Sequence, residues 1–220
     1  MKCVGKLRRT LMHQPVQGFM HIGRVGDKYI AAIIDRSGRL ISLSLLRKSE
    51  EEALNEAKAA ALIKVSYKFK SEMDPAVRRT GKEVVEFLEL YLEGKRPSAK
   101  FELSREGLSD FMEKVLSIVT LIPYGSVTCY GSIAELIGNR NASRAVGAAL
   151  ARNPWPIIIP CHRVVRCDRG VGGYKGGVEL KKHLLRVEGV AITASGKVLP
   201  SHFINAKQLG IPAEDIRAST

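Results

Sequence analysis

The spacing of apolar and polar positions changes along the chain, and with it the kind of element each stretch predicts. From residue 19 to 46 the pattern is strand-like, and 29–34 is joined to 40–45 across Asp35-Arg36-Ser37-Gly38-Arg39, which predicts a hairpin. Ser49 with Glu52 reads as a capping box, opening an alanine-rich helix that runs to about Lys64. A second box, Thr80 with Glu83, predicts another helix, with Val84, Val85, Leu88 and Leu92 as its apolar stripe and Gly94 as its stop. The first 95 residues therefore read as a small α+β domain, and Gly-Lys-Arg-Pro-Ser-Ala at 94–99 as a linker.

Beyond the linker helical spacing dominates. Leu108, Phe111, Val115, Ile118 and Val119 mark an amphipathic helix that stops before the turn Pro123-Tyr124-Gly125. A third box, Ser132 with Glu135, predicts a short helix closed by Gly138, and Asn141 is expected to cap a helix over 142–152. That helix is rich in small residues, and with its predecessor it spells helix-turn-helix. Three isoleucines at 157–159, stopped by Pro160, predict a buried strand that delivers Cys161, His162 and Arg163. Residues 170–177 hold five glycines, a loop that lets a ligand approach the backbone but lacks the Lys-Ser/Thr ending of a phosphate-binding loop. A helix over 178–188 follows, with Leu180, Leu184, Leu185 and Val187 inward, and the tail from 200 carries no readable pattern.

Charge narrows the partner. The 220 residues carry a net +13, and between Asn139 and Arg186 ten Lys or Arg face only Asp168 and Glu179. Such concentration points to nucleic acid. Four scattered cysteines make no disulfide scaffold and suggest a reducing compartment. No apolar run approaches the roughly 20 residues of a membrane span, so a soluble, cytoplasmic protein is expected.

The candidate chemistry centres on Cys161. A thiol attacks as its thiolate, and one with a pKa of about 8.5 needs a base at neutral pH. His162 is the nearest, but neighbours in extended chain point to opposite faces, so a Cys-water-His relay is expected over direct contact. Glu188 is the candidate to orient the imidazole, since the end of a helix disfavours its charge; a solvated surface glutamate is the alternative. Tyr130 reads as core or as a hydroxyl donor, Asn153 as a helix cap, and Trp155 as packing. Cys129 and Cys167 read as buried small apolar residues. A zinc set made of these cysteines with Cys161 and His162 fits no common spacing, and no metal is expected. A cysteine hydrolase or acyltransferase, which would turn over repeatedly, and a helix-turn-helix regulator, to which Cys161 would be dispensable, remain as alternatives.

Ile-Pro-Cys-His-Arg-Val at 159–164 resembles the active-site signature of the O6-alkylguanine-DNA alkyltransferases. Ile122-Pro-Tyr-Gly, Tyr130, Ser143-Arg-Ala-Val-Gly147, Asn153-Pro, Gly172-x-Tyr174-x-Gly-Gly177 and Leu184-Leu-x-x-Glu-Gly189 follow the family's order and spacing. The close resemblance covers about 111–189. It implies an α+β chain with a small ribonuclease-H-like domain over 1–95, a mostly helical, winged-helix-like domain with a helix-turn-helix over 100–192, and a C-terminal extension over 193–220. It implies single-use transfer of an alkyl group from O6-alkylguanine in duplex DNA to Cys161, by a monomer that needs no cofactor. His162 and Glu188 would activate the thiol, Asn153 would brace it, and Tyr130 would donate to the flipped base or press on a phosphate. Val164, Tyr174, Lys175 and Trp155 would form the base pocket. Arg144 would fill the gap left by the base, with Ala142, Ser143, Gly147 and Arg163 also on the DNA. The family usually has serine where this chain has Lys175, whose ammonium could place positive charge near the departing oxygen or swing to a DNA phosphate; the second is expected, since lysine prefers solvent.

Overall fold

The computed structural model describes residues 15–68, 74–98 and 100–210, so Cys3, position 99 of the expected linker and the last ten residues lie outside it. The alternating stretch forms β1 (Val16–Val25), β2 (Lys28–Asp35) and β3 (Leu40–Leu43), each antiparallel to the one before. A fourth strand, β4 (Val65–Lys68), runs parallel to β1, giving the order β3-β2-β1-β4. Along β2 the pleat serves two cores. Ala31 and Ile33 pack with Ala53 and Ala57 of α1 (Glu50–Ala60), while Ile30, Ala32 and Ile34 join a larger cluster shared with α2 (Pro75–Leu92) and the C-terminal half.

Ser49 caps α1, accepting from the Glu52 amide at 3.2 Å, but the helix ends at Ala60, short of the expected Lys64. The second box fails. Asp74 caps α2 and Pro75 occupies its first turn, so Thr80 sits inside the helix and donates to Gly38 O at 2.9 Å, tying α2 to the hairpin turn. Gly94, with φ +76°, follows the end of α2 in the left-handed region that suits glycine.

The C-terminal half runs α3 (Asp110–Thr120), β5 (Thr128–Cys129), α4 (Tyr130–Leu136), α5 (Ser143–Ala151), β6 (Val164–Val165) and α6 (Val178–Val187). The third box also fails, because Ser132 lies within α4, which has no side-chain cap. Asn139, rather than Asn141, caps the 3-10 turn that leads into α5. The isoleucine run is not a strand. Pro156 pairs with Ile159 across a tight loop, and Ile157 takes φ 72°, which a β-branched residue adopts only under strain. Three prolines at 154, 156 and 160 deprive this stretch of the amides a ladder needs. Cys161 instead opens a 3-10 turn, Cys161–Arg163, that feeds β6, and β6 lies parallel to β5.

Cys129 and Cys167, expected to be unpaired and buried, form a disulfide, and Cys167 is exposed. The bridge ties the start of α4 to the turn after β6. The tail without readable pattern is also ordered onto this region: Val127 N donates to His202 O at 2.8 Å and Ile204 N to Val127 O at 2.9 Å. Val190 and Val198, just before the tail, close a third core with Val127, Val165, Val171 and Leu185. The two halves meet where Leu43 N donates to Pro154 O at 2.8 Å and Trp155 Nε1 to Leu40 O at 2.9 Å. Among the described residues no helix is long and apolar enough to cross a membrane.

Candidate active site

Cys161 lies at the wall of a cavity of about 340 Å³, lined also by Tyr130, Gly147, Leu150, Tyr174 and Lys175. Its Sγ accepts from Asn153 Nδ2 at 3.2 Å. The same amide nitrogen donates to Ile159 O at 3.0 Å, while Asn153 Oδ1 accepts from the Trp155 amide at 3.0 Å. One buried side chain therefore fixes the strained loop and the thiol together. Burial pushes the Cys161 thiol up, and the Asn153 hydrogen bond and the Lys181 charge offset only part of this. The resting group is a thiol, so attack requires a base.

Behind it lies a closed polar network. His162 is fully buried, with Nε2 2.8 Å from Glu188 Oε1. The Tyr91 hydroxyl donates to the same oxygen at 2.7 Å and stands 3.1 Å from Nε2. Arg163 grips the carboxylate with Nε and Nη2, both at 2.9 Å, and donates through Nη1 to Ile122 O at 2.6 Å. Burial raises the Glu188 carboxyl, but hydrogen bonds from His162 and Arg163, together with the Arg163 charge, outweigh it and hold the group at about 2. Burial lowers His162, so the imidazole is neutral. With Nε2–H given to the carboxylate, Nδ1 is left as the acceptor. It is buried, and among the described residues it has no hydrogen-bond partner; no bond joins it to Sγ.

The other sequence-predicted residues divide. Arg144 is exposed near the start of α5, and Ala145, Ala148, Ala151 and Arg152 complete that outer face. Ser143 and Gly147 are part-exposed, but Ala142 is buried in the core and lies off the surface expected to meet DNA. Arg163 is likewise committed inward, with 12% of its side chain exposed, because Glu188 and Ile122 take its guanidinium. Trp155, at 1% exposure, packs against the N-terminal half and does not line the cavity. The Lys175 ammonium, expected on a phosphate, lies 3.8 Å from Glu56 Oε1. Val164 is buried, and its carbonyl accepts from Lys181 Nζ at 2.6 Å.

Sequence reasoning missed Lys181, Tyr91 and Glu56. Lys181 is fully buried and donates also to Gly173 O at 3.2 Å, and burial pulls its ammonium down to about 8. Its place three and four residues before Leu184 and Leu185 put it on the apolar stripe of α6, a signal that was legible. Tyr91 continues the Val84 and Leu88 stripe of α2, but nothing local announced its partner 97 residues away.

The family model for the DNA-binding domain of 6-O-methylguanine DNA methyltransferase matches residues 110–190. The methylated-DNA--protein-cysteine methyltransferase of Methanothermobacter thermautotrophicus is 40% identical over 114 residues, which cover 50% of this chain and 62% of that protein. The namesake from Methanosarcina barkeri is 44% identical over 107 residues, covering 49% and 67%. The matched stretch thus spans somewhat under two thirds of the first relative and two thirds of the second. The crystal structure of Mycobacterium tuberculosis OGT in complex with DNA superposes with a TM-score of 0.58 at 26% identity, covering 89% of this chain and all of that one. On these similarities the chain belongs to the 6-O-methylguanine DNA methyltransferase family.

Proposed function

We propose that this protein repairs DNA by moving an alkyl group from guanine O6 in a duplex onto its own Cys161, once per molecule and without a cofactor. The observation that carries the reading is a buried thiol on a base-sized cavity, beside a neutral imidazole whose Nδ1 has no hydrogen-bond partner among the described residues. A water between Nδ1 and Sγ would pass the thiol proton to His162, whose cation Glu188 then offsets. The thiolate attacks the alkyl carbon; the S–C bond forms, the C–O6 bond breaks, and the electron pair stays on the guanine oxygen. A thioether has no ready hydrolysis route, which makes the protein single-use. In this reading Asn153 braces the nucleophile and Tyr130 donates to the flipped base or to its phosphate. The backbone at Val164 and the ring of Tyr174 read the base.

The target carbon lies inside a duplex, so the base must be turned out, at a cost of a few kcal/mol. We assign entry into the groove to α5, with Ser143 and Gly147 allowing close approach and Arg144 occupying the gap. The pair α4 and α5 serves as a helix-turn-helix within a winged-helix-like unit over about 100–192, and the N-terminal sheet as a ribonuclease-H-like unit over 1–95. DNA bound to the M. tuberculosis relative supports the partner, as does the basic stretch around α5. The test is intact mass after incubation with an O6-methylguanine duplex. One methyl on Cys161 and no turnover are expected; an unmodified protein, or repeated product release, refutes the reading.

A further inference from the structure

The residues behind Lys175 come from the N-terminal half. Lys175 lines the cavity that holds Cys161, and among the described residues no other that lines it carries a positive charge. Its side chain is 32% exposed, and its Nζ stands 3.8 Å from Glu56 Oε1 of α1. Glu56 is not a loose surface group. Its side chain is 9% exposed, and Oε2 is fixed by the Leu45 amide at 3.1 Å and by Arg47 Nε at 2.6 Å. That leaves Oε1 buried and, among the described residues, with no hydrogen bond of its own. The glycine loop is seated on the same spot, since a Cβ on Gly176 would come within 2.7 Å of Leu45 Cδ1. The loop that carries Lys175 therefore packs directly against the chain that pins Glu56.

Building on the alkyl-transfer reading, we propose that Glu56 is a positioning residue that holds the Lys175 ammonium at the cavity, where it faces the oxygen from which the alkyl group departs. A cation there stabilises the electron pair left on that oxygen, an interaction that strengthens only as the C–O bond breaks. A lysine free to follow solvent would spend itself on phosphates and would raise DNA affinity instead. The fixed carboxylate behind it decides between these two uses.

The experiment uses the full chain, single-turnover transfer from an O6-methylguanine duplex, and separate measurement of DNA affinity. Glu56→Gln keeps the shape and the acceptor oxygen but loses the charge. It should slow transfer at saturating DNA by about tenfold with affinity changed less than about twofold. Lys175→Ala should slow transfer as much, the double variant no more than either alone, and Lys175→Arg should restore most of the rate. Each variant's melting temperature separates these effects from misfolding; should Glu56→Gln fail to fold, the Lys175 pair still decides. Lys175→Ala that weakens DNA binding while sparing the transfer step, or rate losses that add in the double variant, overturns the inference alone. A wild-type chain that takes up no methyl overturns the reading on which it rests.

Discussion

Glu188 gathers donors from Tyr91, His162, Arg163 and the Gly125 amide, so its charge is bound to the fold. Held at about 2 against an ordinary 4.5, it contributes stability that is complete above about pH 4.5 and is lost as the pH falls towards 2. His162 acts with the same sign. Its folded pKa lies below 6.5, so under that pH the unfolded chain takes up a proton that the native site refuses. Urea unfolding across this range should show stability falling from about pH 6.5 downward, with Glu188→Gln flattening the limb below 4.5 by something of the order of 3 kcal/mol. A profile unchanged by the substitution contradicts the assignment. Tyr91→Phe removes one hydroxyl from the same network and keeps the ring; about 1 kcal/mol of stability and several-fold in transfer rate should go, with DNA affinity intact. Single-turnover kinetics beside thermal melts would check both. Glu188 was legible because a carboxylate at a helix C-terminus is poorly placed for stability. Tyr91 was not, since it looks like any other apolar position on its stripe.

Helices and strands with a clean period were readable, and their edges were not. Only one of the three expected capping boxes is a cap. Thr80 and Ser132 fail because a hydroxyl three residues before a glutamate recurs inside helices, where it bonds elsewhere, as Thr80 does with Gly38. The isoleucine run misled for a different reason: β-branched residues suggested a strand while the three prolines around them had already removed its donors. What the run supplies is a strained loop held by Asn153. Asn153→Ala strands the Trp155 amide in the interior and takes one of two donors from the Ile159 carbonyl, which keeps the Cys161 amide at 2.8 Å, and a loss of roughly 1 to 3 kcal/mol in denaturant melts is expected. The outer face of α5 poses the opposite case. Ala148 is exposed, so Ala148→Glu should leave stability within about 0.5 kcal/mol. Bulk and negative charge on that face should nonetheless weaken duplex binding more than about tenfold, in a salt-titrated binding assay, while transfer from free O6-methylguanine base is unaffected. Equal binding by this variant would remove α5 from the interface.

At the scale of the molecule the halves are sewn together by contacts that no local pattern reveals. The Trp155–Leu40 bond spans 115 positions and the Tyr91–His162 contact 71. The disulfide belongs to this class: four cysteines in 220 residues gave no framework, and only the parallel pairing of β5 with β6 brings Cys129 and Cys167 to a Cα separation of 5.0 Å. It closes a loop of 38 positions, worth about 4 kcal/mol against the unfolded chain, so Cys129→Ser should lower unfolding free energy by an amount near that. The ring has a further property, because Cys161 lies within it, six positions from one of its own bridging sulfurs. Once the chain is unfolded, that thiol becomes a nucleophile against the bridge, and exchange would scramble the pairing. In the native state burial keeps it protonated and out of reach. Unspent protein should therefore lose its ability to refold after heating at mildly alkaline pH, whereas protein that has already accepted an alkyl group should recover. A Cys3→Ser background isolates the effect, and equal recovery of the two forms would contradict it. Repair, on this account, converts a molecule whose denaturation is a one-way event into one whose denaturation is reversible.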